Sequence, residues 1–240
     1  MLIPFGSSEK ACEAVSAVFR AGITPSALEF IERDAIDWTL KYSDVEMQIH
    51  DTVKAHLLIE VDGNDMELLY KDCERIAEVM EGFECGEILL ADSESQKEQL
   101  WKLRRTVGEA VKANSVYKEE DTVVPRAELP KLLKGVKSIG EAYGFKSICY
   151  GHAGDGNLHI NIIKGEMSAN DWNNKLPLGI REIFELTKNL GGTLSGEHGI
   201  GLVQKDYMDI VFSKKSLDLQ KGIKKLFDPN GILNPGKIFS

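Results

Sequence analysis

No stretch of this 240-residue chain is long and apolar enough to cross a bilayer. Its longest apolar runs are of the size of Ile88-Leu89-Leu90-Ala91, where about 20 residues are needed. The amino terminus lacks a charged segment followed by an apolar one, so no secretory leader is visible. Basic residues are in deficit, 29 against 38 acidic, and the net charge of −9 disfavours a nucleic-acid phosphate backbone as partner. Cysteines are few. Cys12, Cys73, Cys85 and Cys149 lie far apart with no C-x-x-C pair, the pattern of buried small hydrophobes in a reduced compartment. Neither G-x-G-x-x-G nor G-x-x-x-x-G-K-[ST] occurs, so no dinucleotide or triphosphate cradle is encoded. The expected location is the cytoplasm, or the inner face of a membrane reached through partners.

What is present is an ordinary globular composition, 42% apolar and 28% charged, too apolar for a disordered chain. Short strand-like runs alternate with longer helical ones. Leu2–Phe5, Ala27–Ile31, His56–Asp62 and Glu87–Ala91 read as strands of the first half, with helices after Ser7 or Ser8, after residue 32 and after Asn64. Ser93 and Gln96 form a capping-box pattern ahead of a long helix through Leu100, Leu103, Val107 and Val111. Thr122–Pro125 reads as a brief extended piece, followed by a periodic helix from Leu129 to Tyr143, strands at 146–152 and 157–163, a helix at 171–190 and a last helix at 214–227. This order predicts an α+β fold, an antiparallel sheet flanked by helices, with a division near residue 92 between subdomains.

Chemistry concentrates in two Gly-rich segments that carry three of the five histidines, YGHAGDGNLHIN at 150–161 and SGEHGIG at 195–201. His50 and His56 sit in ordinary contexts and read as structural. Asp155-Gly156 between two β runs signals a two-residue hairpin turn. That register places His152 opposite His159, with Cβ atoms about 5 Å apart, and Tyr150 opposite Asn161. Two imidazoles so close suit a divalent metal such as Zn, Mn or Fe. Glu197 can complete a His152–His159–Glu197 set with an open position. His198, next in the chain, is the candidate general base, and Gly196 and Gly199 allow the irregular backbone needed to bring both side chains to one site. Arg104 and Arg105, by spacing alone, read as exposed charges on a helix; Lys118, before Glu119-Glu120-Asp121, is equally ambiguous.

These two segments, with DPNGILNPGKIF at 228–239, ALEFIE at 27–32 and LLIEVDG at 57–63, resemble the C-terminal, substrate-binding cap domain of FAD-linked oxidases related to vanillyl-alcohol oxidase. The branch resembled holds the glycolate oxidase flavoprotein subunit, D-lactate dehydrogenase and D-2-hydroxyglutarate dehydrogenase, and the likeness runs over essentially the whole chain. It implies two ferredoxin-like subdomains, at 1–92 and 93–227, with a tail at 228–240. It also implies metal ligation at His152, His159 and Glu197, catalysis by His198 as base, substrate contacts by Arg104 and Asn161, and a flavin contact at Asn234 in a tail facing the flavin domain. Gly108 stands where the hydroxyglutarate branch has a threonine, and the matching lysine region is displaced by one residue at Lys118. Both departures favour a short 2-hydroxy monoacid over a diacid.

The resemblance implies oxidation of a D-2-hydroxy acid to its 2-oxo acid. Arg104 would clamp the carboxylate, the metal would polarise the C2 hydroxyl, and His198 would take its proton while hydride passes to FAD. Reoxidation of the flavin calls for an acceptor such as a quinone, a cytochrome or an electron-transfer flavoprotein. The family's N-terminal FAD-holding domain has no counterpart in this sequence. The expectation is therefore a fragment or one half of a split enzyme, inactive alone, with the FAD-binding domain in the same or a partner chain. Two other readings stay open: a stand-alone metal-dependent hydrolase and a non-catalytic module that binds small acids.

Overall fold

The computed structural model describes residues 1–44 and 47–239. Six strands, β1 (Leu2–Phe5), β2 (Ala27–Glu32), β3 (Ala55–Glu60), β4 (Tyr117–Val123), β5 (Lys146–Gly151) and β6 (Asn157–Ile163), form one sheet in the order β1-β3-β2-β5-β6-β4, and every neighbouring pair is antiparallel. Bridges Leu2–Leu89 and Val123–Thr193 extend it at either edge. Strands β1–β3 of the first half and β4–β6 of the second form the two sides of this sheet, which meet where β2 pairs with β5. The predicted strand at 87–91 survives only as the bridges at Leu89 and Cys85.

One face of the sheet carries the main core. Phe5, Phe30, Leu57, Cys149 and Ile160 pack under α1 (Ser8–Arg20), α3 (Met66–Glu81), α5 (Leu129–Tyr143) and α6 (Leu176–Asn189). Their apolar stripes recur at helical spacing, as Leu129, Leu132, Leu133 and Val136 show in α5. The other face is only half covered. There α2 (Arg33–Tyr42) and α4 (Glu94–Asn114) bury Ile31, Ile36, Leu103, Val107 and Ile148, leaving the β5–β6–β4 side to polar residues. The short α7 (Met208–Val211) and α8 (Lys214–Phe227) complete the chain. No described helix is long and apolar enough to cross a membrane. All four cysteines are free, with Cys12 and Cys149 buried.

Caps fall where side-chain chemistry allows. Ser7, Ser93 and Ser213 each accept the N–H of the third residue on, Lys10, Gln96 and Ser216. The cap of α3 is Asp65, not Asn64: its Oδ1 accepts from both Glu67 and Leu68.

Candidate active site

The β5–β6 hairpin places the histidines, though by a turn different from the one expected. Ala153–Asp155 form a single 3-10 turn closed by Gly156 at φ +78°, where a Cβ would overlap the Val124 carbonyl. The longer loop shifts the register by two residues, so His159 lies opposite Tyr150 and Asn161 opposite Ile148, and His152 stands in the loop beyond the ladder. A shift of two keeps every side chain on its face. The imidazoles still meet: the His152 and His159 ring centres are 5.8 Å apart, edge to face.

The charged run before Val123 is β4 rather than a short extended piece, paired with β6 along its length. Its alternation sends Glu119 and Asp121 to the half-open face beside Asn161 and His159, and Lys118 and Glu120 to the core face. Asp121 organises the second Gly-rich segment. One of its carboxylate oxygens accepts the backbone N–H of Glu197 at 2.8 Å, that of His198 at 2.9 Å and the Ser195 hydroxyl at 3.1 Å. The other accepts from the Asn157 amide at 2.6 Å. Any Cβ at residue 196 would collide with Asn157 and Asp121, so only glycine fits. Burial works against the charge of Asp121, and the two amides with Asn157 overcome it, holding the carboxyl below its usual value.

The result is a convergence on one oxygen. Nε2 of His152 lies 3.4 Å, Nε2 of His159 3.3 Å and Nε2 of His198 3.9 Å from Glu197 Oε1. The far side of each candidate ligand faces a carboxylate: His152 Nδ1 is 2.8 Å from Glu29 Oε1, and His159 Nδ1 is 3.6 Å from Glu119 Oε1. In the tautomer that gives Nδ1–H to Glu29, His152 turns a bare lone pair toward the Glu197 carboxylate. Acceptors that face one another need a proton or a cation between them, and imidazoles backed by carboxylates are the common arrangement around a divalent metal. Ligand atoms of His152, His159 and Glu197 all lie within 4.8 Å of one another, as do those of Glu119, His159 and His198.

Electrostatics separate the two histidines. Hydrogen bonding to Glu29 raises the pKa of His152. Burial drives His159 down to about 4, helped by the charges of Arg104, His198 and His152 and opposed by Asp121, so His159 is neutral at physiological pH. Arg104, on α4, is buried at 8% exposure. Its Nε donates to Glu29 Oε2 at 2.8 Å, and its guanidinium carbon sits 4.9 Å from the Tyr150 ring centre. Its Nη2 is buried with no partner among the described residues. Asn161, 1% exposed, likewise has neither amide atom in a full hydrogen bond.

Residues 1–238 match the family described as FAD linked oxidases, C-terminal domain. The chain belongs to this family. Among its relatives, the FAD-linked oxidase domain is 32% identical to a D-lactate dehydrogenase of Anaerostipes hadrus over 99% of this chain and 51% of that protein. It is also 32% identical to the glycolate oxidase subunit GlcD of Bacillus subtilis over 100% and 50%, and to a D-2-hydroxyglutarate dehydrogenase of Stutzerimonas stutzeri over 92% and 48%. The domain thus spans about half the length of the curated relatives it matches. Substrate-bound p-cresol methylhydroxylase shares its fold, with a TM-score of 0.65 and 14% identity over 99% of this chain and 52% of that one.

The FAD-linked oxidase domain brings five of the six expected catalytic, substrate and metal residues into one cluster: His152, His159 and His198 around one oxygen of Glu197, and Arg104 tied to His152 through Glu29. Asn161 lies on the same face, opposite Glu119 in the strand pairing. Asn234 is not joined to them: it is exposed, at φ +48°, and accepts from Lys237 Nζ at 2.9 Å. Spacing alone made Arg104 a solvated charge, which its burial corrects. Arg105 does lie outward, over Trp101, and Lys118 Nζ points to the opposite face, 5.7 Å from the Trp172 ring centre. Sequence reasoning missed Glu29, Glu119 and Asp121. The available signal was period 2: in ALEFIE, Glu29 alternates with Leu28 and Phe30, which face the core.

Proposed function

We propose that this domain binds and orients a short 2-hydroxy monoacid for oxidation to the 2-oxo acid by a flavin held mainly by a second domain. The convergence of His152 and His159 Nε2 on one Glu197 oxygen, beside the unpaired buried nitrogen of Arg104, carries this reading. Family membership and relatives named for D-lactate, glycolate and D-2-hydroxyglutarate support it.

His152, His159 and Glu197 fit a divalent metal and leave an open position for the substrate. When bound, the flavin supplies the two-electron acceptor and the metal a Lewis acid at the C2 oxygen. Arg104 offers its Nη2 to the substrate carboxylate, a charge-assisted bond whose donor is already desolvated and therefore costs little to engage. Asn161 gives an amide to the same end or to the C2 hydroxyl. His198, fixed through its backbone by Asp121, takes the hydroxyl proton on its imidazole as C2 is oxidised. Lys118 is turned away, toward Trp172, which favours a monoacid.

The flavin-carrying half docks over this face. The tail at 228–239 returns to the site loop through the Ile238 N–H bond to the Gly201 carbonyl at 2.7 Å. Beside it α8 leaves Leu219, Ile223, Leu226 and Phe227 exposed, the last two at 78%, continued by Ile232 and Leu233. That apolar surface, on the helix that leads into this tail, suits a permanent domain contact. Asn234 meets the flavin side there. The chain by itself does not turn over.

Steady-state assays of the flavin-loaded protein with D-lactate or glycolate and a dye acceptor test the reading. His198→Ala is expected to lower kcat by about 10²–10⁴-fold, and Arg104→Ala to raise KM more than it lowers kcat. Near-wild-type rates in His198→Ala would remove the base assignment. Hydrolytic turnover with metal and without flavin would replace the whole reading.

A further inference from the structure

Glu29 is 4% exposed, and both of its oxygens are in use. Oε2 accepts from Arg104 Nε at 2.8 Å and Oε1 faces His152 Nδ1 at 2.8 Å. It lies on β2, 75 residues from Arg104 and 123 from His152, at the seam where the two halves of the sheet join. One buried carboxylate therefore contacts both ends of the site. We propose that Glu29 is a positioning residue that couples the carboxylate clamp to the metal-ligand end, an inference that rests on the function proposed above.

Two consequences follow from hydrogen-bond inventory. At the Arg104 end, Glu29 occupies Nε and fixes the guanidinium plane, so that the unpaired Nη2 stays available to substrate. At the His152 end, a carboxylate can only accept from a ring nitrogen that carries its proton, so Glu29 dictates the Nδ1–H tautomer and leaves Nε2 bare toward Glu197. Glutamine preserves the shape but not this logic. With its oxygen on Arg104, its NH2 faces His152 Nδ1 and favours the opposite tautomer, whose Nε2–H cannot ligate a metal. With the amide reversed, the NH2 opposes Arg104 Nε–H instead. The first orientation loses the metal end; bound metal forces the second and moves the loss to the Arg104 end, so each end registers the change in its own readout. Aspartate keeps the charge and the tautomer preference but is one methylene too short to hold both partners.

The test uses the flavin-loaded protein and two readouts. Zn²⁺ affinity, by chelator competition, is expected to weaken by about 10–100-fold in Glu29→Gln. In Glu29→Asp it should stay within a few-fold of wild type. In metal-saturated Glu29→Gln, KM for D-lactate should rise by about tenfold, while KM for its amide, which has no carboxylate for Arg104, should not move. Loss at the metal end without loss at the carboxylate end, or the reverse, would overturn the coupling. So would lowered melting temperature in both variants with unchanged Zn²⁺ affinity and KM. A wild-type protein that binds no divalent metal and oxidises no hydroxy acid would instead overturn the underlying function, a result distinguishable because it does not involve Glu29.

Discussion

Asp121 does for the Ser195–Gly199 loop what Glu29 does for the opposite side of the cluster. Three donors from Ser195, Glu197 and His198 meet one of its oxygens, so the peptides that carry Glu197 and His198 are held by a single side chain. Asp121→Ala leaves those part-buried donors without their acceptor, at up to about 1–3 kcal/mol for each that water cannot reach. A lower melting temperature is expected, with a fall in kcat larger than the stability loss alone explains, read by thermal denaturation beside steady-state kinetics. Unchanged kcat in the folded variant would show that the loop holds its shape without Asp121.

The neighbouring Glu120 faces the core, 1% exposed, and burial pushes its pKa up to about 8, with the Glu119 and Asp121 charges adding to the shift and Gln204 and Lys118 opposing it. Glu120 Oε2 is a buried acceptor without a partner among the described residues, and a proton on Glu120 removes the cost of burying its charge. Because the folded pKa lies above the ordinary 4.5, the folded state keeps a proton that the unfolded chain gives up. The contribution of Glu120 to stability is therefore fully present below about pH 4.5 and falls as pH rises to about 8. Glu120→Gln should flatten this slope and raise stability at pH 9 by on the order of a few kcal/mol. Denaturant midpoints at pH 5 and pH 9 decide it, and an unaltered slope would contradict the assignment.

At the scale of elements, the site depends on close approach between a loop and a strand. Gly196→Ala must push the loop off Asn157 and Asp121, which should cost about 1–3 kcal/mol and lower activity further by displacing Glu197 and His198. Crystal positions of residue 198 would check it; an undisplaced loop would mean the collision is absorbed elsewhere. Elements also show what could be read from sequence. Helices with apolar stripes and serine caps were plain, because local chemistry decides them. The Asp155-Gly156 signal located the hairpin but not its register, since the turn type depends on Gly156 packing under Val124, just past the end of β4. β4 was hidden because its charged residues look solvated until the pairing with β6 shows that Glu119 and Asp121 point into the site. Arg104 and Glu29 could not be matched from spacing, because their contact joins α4 to a strand 75 residues away.

For the whole molecule, the half-covered face of the sheet and the exposed stripe of α8 describe a domain built to be covered. Leu226→Asp lies at a residue 78% exposed, so it should leave the melting temperature of this domain within a degree or two. In the flavin-loaded protein it should lower the flavin-to-protein ratio after gel filtration. Full flavin retention would show that the second half docks elsewhere.

The central claim, that this cluster oxidises a short 2-hydroxy acid with His198 as base, is tested most directly by anaerobic mixing of the flavin-loaded protein with D-lactate or glycolate. Wild type should lose the visible absorbance of oxidised flavin and yield one 2-oxo acid per flavin, while His198→Ala bleaches at least a hundredfold more slowly. Equal bleaching in both proteins, or none with any short hydroxy acid, would contradict the account.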